Sequence, residues 1–170
     1  MKKILLTISL TVGCFAAGLS FKSLQSDFTQ VVNSEGKSIS YQGRFYANSD
    51  NTALWIYESP TPKRIYFSTE RVVVIEDELE QAVISRLDDT PNLTQILAAA
   101  KQIEPALYKA DYDGVDYLIA MKNGLPLNID YKDKLGNKIK ITLKNPVKDA
   151  TISKETLTPV IPQGYDIINQ

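Results

Sequence analysis

From Leu24 to Ile152, apolar and polar residues alternate in short runs, and turn residues separate one run from the next. Side chains that change face at every residue belong to β-strands, so an alternation of period two admits few folds. Leu24, Ser26, Phe28, Gln30 and Val32 share one face before a turn at Asn33 to Gly36. Tyr41, Gly43, Phe45 and Ala47 share a face of the next run, which ends at Asn48 to Asn51. Ala53, Trp55 and Tyr57 alternate with Leu54 and Ile56, so both faces of that strand are apolar, and Pro60 and Pro62 end it because proline cannot donate to a ladder. Further strands are expected at Ile65–Ser68, Val72–Ile75, Ala82–Leu87, Lys109–Tyr112, Val115–Met121, Leu127–Tyr131, Ile139–Leu143 and Lys148–Ile152. Asp113-Gly114 and Asn123-Gly124 are hairpin signals, since both pairs tolerate positive φ. About ten or eleven short strands in one domain predict a mainly β protein, built as one strongly curved sheet or as a barrel.

One segment breaks the pattern. Leu93, Ile96, Leu97 and Ala100 fall on a single helical stripe, which predicts a helix over Pro91 to Ile103. Thr90 is the expected cap, Pro91 suits the first helical position, and Pro105 is the expected stop. Taken alone, such a helix covers one face of a sheet as core.

The chain holds no histidine, and its one cysteine is Cys14. This excludes Ser-His-Asp and Cys-His nucleophilic machinery and imidazole zinc sites. A formal charge of −1 argues against a nucleic-acid footprint. Glu76-Asp77-Glu78 with Glu80 reads as a solvated turn, because no apolar neighbours are there to raise a carboxylate pKa. Asp111, Asp113 and Asp116 fail as a calcium loop, since Gly114 is misplaced and Lys122 stands where the bidentate glutamate belongs. Lys138, Lys140, Lys144 and Lys148 face away from Ile139, Ile141 and Leu143, as a solvated strand face does. No metal, cofactor or catalytic residue is expected, so the chain reads as a non-enzyme. One anomaly remains. Leu54 to Tyr57, Ile65 to Phe67 and Val72 to Ile75 are apolar almost without a break, as in a sheet buried on both faces or curved around an apolar cavity. The pattern leaves both open.

Residues 1–20 read as a signal peptide, leaving a single domain over 21–170. Lys2 and Lys3 precede the apolar Ile4 to Val12, and small residues follow at Gly13, Ala16, Ala17, Gly18 and Ser20. That core is too short to span a bilayer, which takes about 20 apolar residues. Cys14 follows Thr11-Val12-Gly13, a poor lipidation box, and reads as part of a discarded leader. Loss of Lys2 and Lys3 takes the formal charge from −1 to −3.

Seven short motifs, in order along the mature chain, resemble the periplasmic outer-membrane lipoprotein carrier family, LolA. They are Asp27-Phe28-Thr29-Gln30, Gly43-Arg44-Phe45-Tyr46, Leu54-Trp55-Ile56-Tyr57 with Pro60, Asp77 to Gln81, Thr90-Pro91 with Leu97, Asp133 to Asn137, and Pro162 to Ile168. The resemblance implies an unclosed antiparallel β-barrel, or strongly curved sheet, with a helical lid over an apolar concave face. Phe28, Phe45, Ala47, Trp55, Tyr57, Ile65 and Phe67 are then expected to line an acyl-chain cavity. Leu93, Ile96, Leu97 and Ala100 are expected to lie across its mouth.

The resemblance also implies a monomeric periplasmic chaperone. It would take acylated lipoproteins from an inner-membrane lipoprotein-releasing ABC transporter to an outer-membrane acceptor, or to the outer membrane directly. Two departures stand out. The family's Arg-Pro after the second strand, whose arginine latches the lid, is replaced by Ser49-Asp50, and the first lid helix is expected to be shortened or absent. The leader residues Ile4 to Phe15 would then either extend as a free helix or dock in the uncovered groove. The competing readings are a lipidated outer-membrane acceptor of the same fold, anchored through Cys14, and a periplasmic hydrolase using carboxylates.

Overall fold

Twelve strands join into one sheet in a computed structural model of the chain, which describes residues 19, 21–86 and 92–170. In chain order they are β1 (Ser23–Ser34), β2 (Lys37–Asn48), β3 (Ala53–Ser59), β4 (Lys63–Phe67), β5 (Arg71–Glu76) and β6 (Gln81–Arg86). A helix, α1 (Leu93–Ala99), separates these from β7 (Lys101–Glu104), β8 (Leu107–Tyr112), β9 (Val115–Lys122), β10 (Leu125–Lys132), β11 (Lys138–Lys148) and β12 (Asp166–Asn169). The spatial order is β12-β6-β5-β4-β3-β2-β1-β11-β10-β9-β8-β7. Every pairing is antiparallel except β12 on β6, and the two edges do not meet, so the sheet stays open.

Alternation fixes which side chains meet. Leu24 and Phe28 of β1, Phe45 and Ala47 of β2, Trp55 of β3, and Ile139, Ile141 and Leu143 of β11 are buried on one face. The same cluster takes in Val72 of β5 and Ala110 of β8, which lie near opposite ends of the sheet. They can share one core only because the sheet curls on itself, as right-handed twist accumulated over many strands allows. The expected hairpins at Asp113-Gly114 and Asn123-Gly124 are present, with both residues of each pair at positive φ.

The opposite face has its own cover. After β11 the chain runs without regular strand to β12, and on the way Leu157, with Ile152, Ile161 and Tyr165, packs on Leu54, Tyr66, Val73, Ile75 and Ala82. This tail is pinned at both ends. The Asp149 N–H donates to the Ser23 carbonyl at 2.8 Å, and the Tyr165 hydroxyl donates to Asp77 at 3.0 Å. Asp77 also receives Arg64 at 2.6 Å, and the Asp166 N–H donates to the Glu80 carbonyl at 2.9 Å, which starts the parallel β12. The acidic turn is therefore exposed, and it also holds the tail. The apolar double face of β3 to β5 is explained: one side lines the concave core and the other lies under the tail.

Three sequence expectations are corrected. The helix does not run from Pro91 to Ile103 but from Leu93 to Ala99, and its cap is Asn92, while Thr90 and Pro91 lie outside the described residues. Ala100 turns extended at ψ 135°, and Lys101 to Glu104 pair with β8, so Pro105 belongs to a hairpin turn with Ala106 at φ 60°. Hydrogen bonds to β8 outweigh about one further turn of helix whose polar Lys101 and Gln102 had nothing to bury. Lys148 to Ile152 is not a strand, because β11 ends at Lys148 and the tail departs there.

Candidate functional site

The aromatic side chains of β1 to β3 build one wall of the concave side. Phe28 meets Trp55 edge-on at 4.8 Å and Tyr57 at 5.1 Å, while Phe45 lies 4.4 Å from Trp55 between ring centres. Such pairs hold rings in fixed orientation and add about 0.5–1.5 kcal/mol each beyond area burial. Beside this wall lies a cavity of about 250 Å³. Trp55, Tyr57, Ile65 and Phe67 line it from β3 and β4, Gln30 from β1, Ile141 from β11, Ile129 and Tyr131 from β10, and Tyr117 from β9. Leu93 and Ile96 of α1 cover one side of it.

Of the residues singled out from sequence, Trp55, Tyr57, Ile65, Phe67, Leu93 and Ile96 thus border the cavity. Phe28, Phe45 and Ala47 pack behind them in the same core rather than on its wall, with exposures of 2%, 0% and 0%. Leu97 and Ala100 are both fully buried. Leu97 borders a separate space of about 40 Å³ with Leu19, Phe21, Leu24 and Leu125. The β9–β11 half of the wall was not singled out, although Tyr117, Ile129, Tyr131 and Ile141 continue the alternation that marked the first half. A wider hollow of about 860 Å³ runs beside the tail on the other face. Its rim of Asp50, Ser68, Thr69, Glu70, Arg71 and Lys154 is polar and charged, so it suits an apolar chain less well than the smaller cavity.

α1 is tied down by neutral hydrogen bonds. The Asn92 carboxamide oxygen accepts from the Thr94 N–H at 3.0 Å and from the Thr94 hydroxyl at 2.8 Å, an N-cap. Its Nδ2 donates to the Asn51 carbonyl at 2.8 Å, and Thr94 Oγ1 lies 3.3 Å from Asn51 Oδ1. Asn51 sits in the β2–β3 turn at φ 67°, in the loop whose Ser49-Asp50 departs from the family pattern. Farther along, the Tyr112 hydroxyl donates to Gln95 Oε1 at 2.7 Å, and the Leu19 N–H donates to the Leu97 carbonyl at 3.2 Å. Residues 1–18 and 20 of the expected leader lie outside the described residues, and with them the two placements expected for Ile4 to Phe15.

The cavity's polar atoms are few. The Tyr57 hydroxyl donates to Gln30 Oε1 at 2.6 Å. Burial, then the neighbouring Tyr131 and Tyr41, pushes the Tyr57 pKa up. Burial, then Tyr117 and Asp133, does the same at Tyr131, and burial first, then Asp113, pushes Tyr117 up to about 12. All three phenols therefore stay protonated near neutral pH. Among the described residues no cluster of three or more His, Cys, Asp or Glu could hold a metal ion.

An open, strongly curved β-sheet with an apolar interior and a helical cover defines the class: a half-open β-shell. The model of the family described as "Outer membrane lipoprotein carrier protein LolA" matches residues 20–102. Outer-membrane lipoprotein carrier proteins of Campylobacter jejuni and Wolinella succinogenes are 37% and 35% identical to the chain, the first covering 99% of both proteins and the second 100% of both. That of Helicobacter hepaticus is 32% identical over 97% of this chain and 93% of its own. The chain belongs to the outer-membrane lipoprotein carrier family, LolA. Among solved structures, a LolA superfamily protein from Nitrosomonas europaea has the same fold at a TM-score of 0.50 and 9% identity, covering 85% of this chain and 93% of that one. An uncharacterised conserved protein from Thermus thermophilus does so at 0.55 and 13%, covering 88% and 91%.

Proposed function

We propose that this protein is a periplasmic carrier that shelters the acyl chains of lipoproteins between the inner and the outer membrane. The observation that carries the reading is the apolar cavity under α1, in a chain of the lipoprotein carrier family. A 16-carbon chain left in water costs on the order of 12 kcal/mol, at ~0.8 per CH₂, so crossing an aqueous compartment needs an apolar shelter. The cavity of about 250 Å³ is smaller than ordinary ligand pockets, which run from about 300 to 1,000 Å³. Housing a whole chain therefore requires α1 to move, and an incoming acyl chain would replace the apolar contacts that Leu93, Ile96 and Leu97 give up.

In this reading residues 1–20 are a signal peptide and 21–170 the carrier domain, working as a monomer and without chemical catalysis. Phe28, Phe45, Ala47, Trp55, Tyr57, Ile65 and Phe67 form the acyl-chain site with its backing. Leu93, Ile96, Leu97 and Ala100 form the apolar side of the lid. The partners are acylated lipoproteins, the inner-membrane ABC transporter that releases them, and an outer-membrane acceptor or that membrane itself. Mass spectrometry of the protein isolated from periplasm tests this. The expected result is co-purified triacylated lipoprotein and a mature N-terminus beyond Cys14. A diacylglyceryl group on Cys14 would instead identify the anchored acceptor of the same fold.

A further inference from the structure

We propose that Gln30, Tyr57 and Tyr131 form a polar rung in the cavity that hydrogen-bonds the ester carbonyls at the root of an acyl chain, so that the site reads the linkage as well as the hydrocarbon. The proposal rests on the carrier reading above and deepens it. Pairing register places the rung. Gln30 lies beside Tyr41 of β2 and Ile141 of β11, and one step further toward the hairpin ends Tyr131 lies beside Ile139 and Tyr117. α1 covers the Trp55–Phe67 end of the concave face through Leu93 and Ile96. At the other end Ile39, which pairs with Val32, is 48% exposed. The cavity is thus hydrocarbon under the helix and hydroxyl- and amide-lined toward its open side.

The rung has hydrogen-bonding capacity to spare. Gln30 Oε1 is taken by the Tyr57 hydroxyl at 2.6 Å, which fixes the carboxamide with its Nε2 as the free donor. Among the described residues neither Gln30 Nε2 nor the Tyr131 hydroxyl makes a hydrogen bond to protein. Tyr131 shares the cavity wall with Gln30 and Tyr57. Donors held in an apolar wall select an acceptor, and the acceptors at the root of a glycerol-linked acyl chain are its ester carbonyls. Gln30 and Tyr131 are both half-buried, and an acyl chain that seals them from water must supply an acceptor or leave these donors unpaired at a cost in free energy.

Two probes test the proposal: a synthetic tripalmitoylated cysteine lipopeptide, and its analogue with ether links in place of the two glycerol esters. Binding to the mature protein is read by the fluorescence of Trp55, the single tryptophan, which lies on the cavity wall. The ester probe should bind at least about fivefold more tightly than the ether probe, as one net hydrogen bond gives. Tyr131→Phe, and separately the double change Gln30→Met with Tyr57→Phe, which removes both partners of the internal bond, should each bring the two affinities closer by weakening the ester probe alone. Equal affinities in the wild type, or variants that weaken both probes equally, would overturn the rung and leave the carrier reading standing. Failure of both probes to bind the wild type would overturn the carrier reading with it.

Discussion

Gly43 stands where β1, β2 and β3 come closest. A Cβ built there would lie 1.8 Å from the Ile56 carbonyl oxygen and 3.0 Å from the Phe28 ring, at the point where the β2–β3 register shifts. Only a glycine lets the backbone of β3 pass so close, and the Phe28 ring then fills the space above, where it meets Trp55 and Tyr57. Gly43→Ala should therefore destabilise the fold by at least about 1–3 kcal/mol, the usual cost of overpacking. In a domain of this size that lowers the Tm by roughly 5 °C. Thermal unfolding followed through Trp55 checks this, and an unchanged Tm would mean that β3 yields without penalty. Gly43 was legible in the sequence as a member of an alternating face. Its necessity was not, because the carbonyl it makes room for comes from another strand.

At the scale of the element, α1 is too short to stand alone, since its seven residues fall well below the length at which isolated helices hold in water. It persists because Leu93, Ile96 and Leu97 are buried against the sheet and because Asn92, fully buried, caps it and reaches Asn51. Asn92→Ala removes its three side-chain hydrogen bonds, a loss of about 0.5–2 kcal/mol for the cap by analogy with other N-caps. If α1 is a cover that opens separately from the sheet, its amides should then exchange with solvent about tenfold faster while those of β1 and β11 keep their protection. Equal acceleration in the sheet would make α1 part of the global core. The apolar stripe was readable from the spacing of Leu93, Ile96, Leu97 and Ala100. The boundary was not: β8 offered Lys101 to Glu104 a strand partner across a two-residue turn, and Asn51, far off in sequence, offered Asn92 a carbonyl.

The whole molecule depends on its last 21 residues to cover the face that the cavity does not use. Leu54, Tyr66, Val73, Ile75 and Ala82 are buried because Leu157 and its neighbours lie on them, and β12 protects the edge of β6. Truncation after Asp149 strips this cover and uncovers a contiguous apolar patch, beyond what soluble monomers usually expose. The expected outcome is binding of a hydrophobic dye together with self-association on gel filtration. A truncated chain that stays monomeric and dye-free would show that the tail is dispensable. Both edges are short: β7 has four residues and carries Lys101 and Glu104, and β12 has four and starts at Asp166.

Alternation and turn residues determined on their own that the chain is a sheet of many short antiparallel strands. Which face of each strand is apolar follows from the same pattern, because side-chain direction in a strand is a local property of the backbone. The run of family-like motifs pointed to the carrier family, to which the full-length relatives assign the chain. Tertiary structure decided the rest. Curling brought Tyr117, Ile129 and Tyr131 opposite Trp55 and Tyr57, and so made one cavity out of two distant stretches of sequence. It also resolved why β3 to β5 are apolar on both sides, a pattern that fits a double-faced core and a cavity wall alike. The strands serve as both, since the tail around Leu157 returns from far along the chain to cover the outer face. Alternation reports that a face is buried. What buries it depends on chain segments brought together only by the fold.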